Sequence, residues 1–154
     1  MRKAHLLLIG IFLMPTALRA DGPFQFYPVI PCRIVDTRGP VSATGGPALT
    51  SGSTRSFPID VAPAACGVPS TAKAAALNVT LVQPTLEGFL SIWPYLTQMP
   101  LVSTINAAAG EPAIANGAIV PMTSNSSFNI SVIYGTAVSG GTAHVLVDVN
   151  GYFQ

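Results

Sequence analysis

Apolar residues alternate with small or polar ones along most of the chain, with a period of two. The clearest run is Lys73 to Val82: Ala75, Leu77, Val79 and Leu81 fall on one side, Ala74, Ala76, Asn78 and Thr80 on the other. That is the period of a strand with one face on a core. Gly88 to Tyr95 sets Phe89, Ser91 and Trp93 opposite Leu90 and Ile92. Ser127 to Tyr134 sets Phe128, Ile130, Val132 and Tyr134 against Asn129, Ser131 and Ile133. Thr54 to Val61, Leu101 to Ala107 and Ile114 to Met122 are further strands, and Gly117 inside the last predicts a bulge or a close backbone approach. Ala143 to Phe153 is apolar densely enough to predict burial on both faces. Near the start, Phe24, Phe26 and Val29 alternate with Gln25 and Tyr27 in a run that Pro28 interrupts, which predicts an edge strand. Cys32 to Thr37 follows as a short strand, with Arg33, Val35 and Thr37 on one face and Ile34 and Asp36 on the other. Gly, Pro and Ser clusters separate these runs, at Gly39 to Ser53, Ala62 to Thr71, Gln83 to Gly88 and Gly135 to Thr142. The spacing predicts an all-β fold: a β-sandwich, immunoglobulin-like or jelly-roll-like, of about eight or nine short strands with no substantial helix.

Residues 1–20 break the pattern. Arg2 and Lys3 precede an apolar run from Leu6 to Met14, and Ala17-Leu18-Arg19-Ala20 offers small residues for cleavage after Ala20. This is the three-part pattern of a secretory leader, too short for a permanent membrane span. The expectation is therefore an exported protein with one sandwich domain over residues 21–154, outside the cell, on its surface or in the periplasm, and not embedded in a membrane. Beyond the leader there are four cations (Arg33, Arg38, Arg55, Lys73) against six acidic residues, a net −2, so the +1 of the whole chain comes from the leader. So few cations argue against a nucleic-acid partner. Cys32 and Cys66, in an exported chain, predict a disulfide.

Charged residues make up 8% of the chain, yet three of the seven residues from Cys32 to Arg38 are charged. Arg33, Asp36 and Arg38, together with Asp148, are expected to form a polar network between the first and last strands, since buried charges must be paired and hydrogen-bonded. The chain carries no Gly-x-Ser-x-Gly elbow, and a serine triad would have to use His144. Carboxylates with arginine partners make poor general acids. No catalytic residue, cofactor or metal site is predicted; Asp148-Val149-Asn150-Gly151 only partly matches a calcium loop. Tyr95, Trp93 and Tyr27 are the aromatics that could face a ligand.

Four landmarks occur in order: Phe26 to Arg38, with Cys32-Arg33 and Val35-Asp36-Thr37-Arg38 inside it; Cys66-Gly67-Val68-Pro69; Leu77-Asn78-Val79-Thr80 with Gly88-Phe89-Leu90 and Trp93-Pro94; and Asp148-Val149-Asn150-Gly151-Tyr152-Phe153. In this the chain resembles a β-rich module of secreted bacterial proteins, found alone, in tandem or appended to extracellular hydrolases. The resemblance implies location and fold rather than a reaction. The expected role is a non-catalytic structural, adhesion or interaction module at the cell surface or in the extracellular matrix, with a surface glycan or a protein as partner. Two other readings are a carbohydrate-binding module for glycan or peptidoglycan, and a self-assembling filament subunit that pairs through the Phe24–Ile30 edge.

Overall fold

A computed structural model of the chain describes residues 22–60 and 66–154. The leader read over residues 1–20, the end of the Thr54–Val61 run and the start of the loop from Ala62 lie outside the described residues. Among the described residues there are nine strands: β1 Phe26–Asp36, β2 Leu49–Thr50, β3 Thr54–Phe57, β4 Ala74–Val82, β5 Gly88–Pro94, β6 Ile105–Ala107, β7 Ala113–Pro121, β8 Ile130–Thr136 and β9 Thr142–Phe153. No helix among them is long and apolar enough to cross a membrane.

The pairing is nested. β5 pairs with β6, β4 with β7, β3 with β8 and β1 with β9, all antiparallel. Rolling that ribbon brings β9 against β4 and β8 against β5. Two sheets result, ordered β1-β9-β4-β7 and β3-β8-β5-β6, with the short β2 also on β9. This is the jelly-roll order of a β-sandwich rather than the immunoglobulin one. The alternation along β4 is realised residue by residue: Ala75, Leu77, Val79 and Leu81 are buried while Ala74, Ala76, Asn78 and Thr80 are half-buried. The inner faces of both sheets meet in one core, where Val35, Phe57, Leu90, Val132, Val145 and Val147 are fully enclosed. Each such side chain contributes about 1.5–3 kcal/mol by leaving water. Tyr134 joins them because its hydroxyl donates to Leu86 O; burial pushes that phenol up in pKa.

Several elements differ from the sequence pattern for local reasons. β1 is one long edge strand that absorbs Pro28 and Pro31 by shifting register between Pro28 and Cys32. β3 stops at Phe57, before Pro58. β6 starts only at Ile105, because the chain after Tyr95 first crosses the outer side of β5. There Val102 O accepts from Ser91 Oγ at 2.7 Å, and Thr97 O accepts from Trp93 Nε1 at 3.2 Å. β9 is buried along its inner face and, on its outer face, at Leu146, beside which His144 and Asp148 are half-buried and Asn150 is exposed. β7 has no bulge: its register against β4 is unbroken. Asn129 is fully buried and ties the sheet ends together. Its side chain accepts from the backbone of Ile59 and Asp60 and donates to Thr123 O.

The Cys32–Cys66 disulfide is formed, with Cα atoms 5.5 Å apart and a sequence separation of 34. It anchors β1 to the segment leading into β4. Replacing both cysteines with alanine is expected to lower stability by about 3–4 kcal/mol from the loop-closure term, read as a lower urea midpoint with an intact β-sheet circular dichroism spectrum.

Candidate functional site

In an unbroken strand, residues three apart face opposite sides of the sheet. β1 breaks that rule with a second register shift, between Arg33 and Val35. The extra residue resets the alternation. Val35 turns into the core, and Asp36 joins Arg33 on the outer face. Sequence alternation had put Arg33 with Val35, apart from Asp36; the bulge is the reason it does not hold.

The consequence is a ladder of alternating charges. Arg33 and Asp148 are direct cross-strand neighbours. Nε and Nη2 of Arg33 donate to Oδ1 and Oδ2 of Asp148 at 2.8 and 3.0 Å. Arg38 donates in the same two-pronged way to Asp36, at 2.9 and 2.7 Å, and its backbone N–H adds a third bond at 3.1 Å. Arg33 Nη1 lies 3.7 Å from Asp36 Oδ2 and links the two pairs. The Arg38 guanidinium holds the Asp36 carboxyl down to about 2, and the bond to Asp148 raises the pKa of Arg33.

The four predicted network residues thus come together, but as a surface feature. Their side chains are 43% (Arg33), 31% (Asp36), 48% (Arg38) and 21% (Asp148) exposed. The expectation of buried ions fails because β1 turns this face to solvent. Exposed ion pairs are screened by solvent and add little to stability, so the ladder shapes a surface more than it holds the fold.

The row continues across the sheet. Asp148 is opposite Asn78 of β4, and Asn78 is opposite Gly117 of β7. β9 bulges at Asn150, since its pairing with β4 steps from Val149 to Gly151. A cleft of about 340 Å³ opens here, lined by Pro31, Cys32, Arg33, Asn78, Asp148 and Asn150. Another of about 390 Å³ lies on the far side of Arg33, between Asp36 and the loop at Gly39, Pro40, Ser42 and Thr44. That loop is shaped from behind by Arg55, which donates to the carbonyls of Gly45, Gly46 and Pro47; burial lowers its pKa. Neither Arg55 nor Asn78 stands out in the sequence as part of this surface.

The predicted ligand-facing aromatics separate. Trp93 is buried under the segment after Tyr95, which removes it as a ligand contact. Tyr95 is half-buried, edge-on to Phe128 at 5.3 Å. Tyr27 is exposed and stacks on Tyr152 at 5.2 Å. A concavity of about 600 Å³ involves none of them. It lies on the outer side of the four-stranded sheet, where Phe89 sits over Gly135 with Asn106, Glu87 and Thr136 around it. His144 Nδ1 is 3.0 Å from Thr37 O and 3.2 Å from Thr37 Oγ1. Among the described residues, no three His, Cys, Asp or Glu side chains converge as metal ligands. No family model, curated protein or solved structure matches the chain.

The carboxyl of Asp36 titrates near 3.8 when free and near 2 when folded. Between those values the unfolded chain holds more protons, so stability rises with pH and the Asp36 contribution is lost as pH falls through about 2. Asp36→Asn should flatten this acid limb: urea midpoints of the wild type should drop more than those of the variant from pH 4 to pH 2.

Proposed function

We propose that the chain is an exported, non-catalytic interaction module that docks on a partner at the cell surface or in the extracellular matrix. The observation that carries this reading is the outer face of the five-stranded sheet. An antiparallel sheet with one solvated face ordinarily sets polar residues on that side. Here β4 presents Ala74, Ala76, Asn78 and Thr80, and their β7 neighbours are Pro121, Ile119, Gly117 and Ala115. Phe26 and Phe153 pack ring against ring at 5.1 Å beside Ala74. The charges bordering this flat apolar surface are already matched, Arg33 to Asp148 and Arg38 to Asp36. Apolar surface of this kind on a soluble domain marks contact with a partner.

Export is supported by the leader pattern and by the disulfide. The ordered landmarks that resemble secreted bacterial modules agree with it. A non-catalytic role is supported by the way Asp36, Asp148 and His144 are each engaged by a neighbouring group.

The Phe89 concavity favours a second reading, a carbohydrate-binding module, because an aromatic ring flanked by Asn106, Glu87 and Thr136 offers a stacking platform with polar groups at its rim. One assay separates the two. Labelled protein is incubated with envelope material and with purified glycans and peptidoglycan. Ala76→Arg, on the flat face, should reduce retention on envelope material at least tenfold while Phe89→Ala leaves it unchanged. Retention on glycan alone that Phe89→Ala abolishes and Ala76→Arg does not would replace the first reading with the second.

A further inference from the structure

Each sheet has two edges, and three of the four are guarded. β1 carries Pro28, Pro31, two register shifts and the charges of Arg33 and Asp36. β3 is four residues long and includes Arg55, and β6 is three residues long. β7 is nine residues long, has an unbroken register, and holds no charged residue; its one proline is the last residue, Pro121. Long, regular, uncharged edges are the ones on which another strand can add.

Gly117 sharpens this. Four strand residues of the described chain are glycine, and three are explained from within. A Cβ at Gly88 would meet Gly135 O; one at Gly135 would meet the Phe89 ring; one at Gly151 would meet the Phe26 ring. A Cβ at Gly117 would meet nothing within 4 Å, and there is no bulge at that point. A strand glycine weakens a strand unless something approaches its backbone closely. Apart from its β4 pairing with Asn78, the described chain puts nothing where its side chain would be.

We propose that β7 is the edge through which two copies of this chain pair, antiparallel, about a two-fold axis at Gly117. Gly117 is the midpoint of Ala113–Pro121, so an axis there pairs all nine residues of the strand with those of the partner subunit. It sets Ile119, which is 67% exposed, against the partner subunit's Ala115, large beside small. It sets Gly117 against the partner subunit's Gly117, where two side chains would crowd the axis. Because β7 holds no charge, the symmetric pairing brings no like charges together. Nine residues span about 30 Å, and closing two such edges with their flanking side chains buries on the order of 1,000 Å², the lower bound for a specific contact. A contact of that size belongs with weak, reversible associations. The two five-stranded sheets merge with both outer faces on one side. The pairing shares Ala115, Gly117 and Ile119 with the docking face but rests on the backbone edge of β7, whereas Ala76 of β4 belongs to the face alone.

Sedimentation velocity of the purified protein across a micromolar dilution series should show reversible monomer–dimer exchange. Ile119→Lys should weaken the dimer at least tenfold with an unchanged melting curve; Ala115→Lys is a second variant with the same expected effect. Gly117→Cys should collect as a reducible disulfide-linked dimer under mild oxidation, faster than Ile30→Cys on the exposed part of β1. A wild type that stays monomeric throughout overturns the proposal. So does a dimer that survives both lysine variants, or open-ended assembly in place of a closed pair. Envelope retention lost in Ala76→Arg, with dimerisation intact, would keep the two readings distinct.

Discussion

The register of β9 is the constraint on which the rest of the molecule depends. β9 is paired along both sides, with β1 and β2 on one and β4 on the other. Its inward residues Val145, Val147 and Val149 are fully enclosed. A slip of one residue would turn all three to solvent and bring His144, Asp148 and their neighbours into the core. The same register that fills the core therefore decides that Asp148 meets Arg33 on one side and Asn78 on the other. Core and surface row cannot vary independently.

The surface around that row is made by two departures from regular pairing. The shift between Arg33 and Val35 lets Asp36 share a face with Arg33, and the bulge at Asn150 opens the cleft beside Asp148. Both lie on the long strands at the β1 side of the sheet. The β4–β7 side is regular throughout, and it is the apolar side. The outer face thus changes character across its width, from matched charges on bulged strands to small side chains on flat ones.

Much of the fold was legible in the chain, because alternation along β4, β5 and β8 is strong and Pro and Gly mark the turns. The disulfide followed from two cysteines in a chain whose first residues read as a secretory leader. The nested strand order was not legible, since it depends on pairings between residues far apart. The site was legible in membership but not in setting. Arg33, Asp36, Arg38 and Asp148 were recognisable by charge in a charge-poor chain. Their exposure was not, because a bulge leaves no clear mark in the sequence and alternation alone put Arg33 on the wrong side of β1. Trp93 was misplaced for another reason: the segment that covers it, Leu96 to Thr104, looks in sequence like a turn followed by a strand. Asn129 and Gly117 show the limit from the two sides. One is an ordinary polar residue that proves to be a buried anchor, and the other is a glycine whose neighbours give it no explanation.

The position of the Cys32–Cys66 link has a kinetic meaning. β1 and β4 are the two strands that flank β9, and β9 follows them by some sixty residues or more of chain. The innermost hairpin, β5 with β6, can close early; the β1–β9 pairing spans nearly the whole domain and belongs to the slow, non-local class of contacts. Cys32 lies on β1 and Cys66 just ahead of β4. A bond between them ties the two walls of that slot together in the unfolded chain as well, so less chain entropy is lost when β9 docks between them.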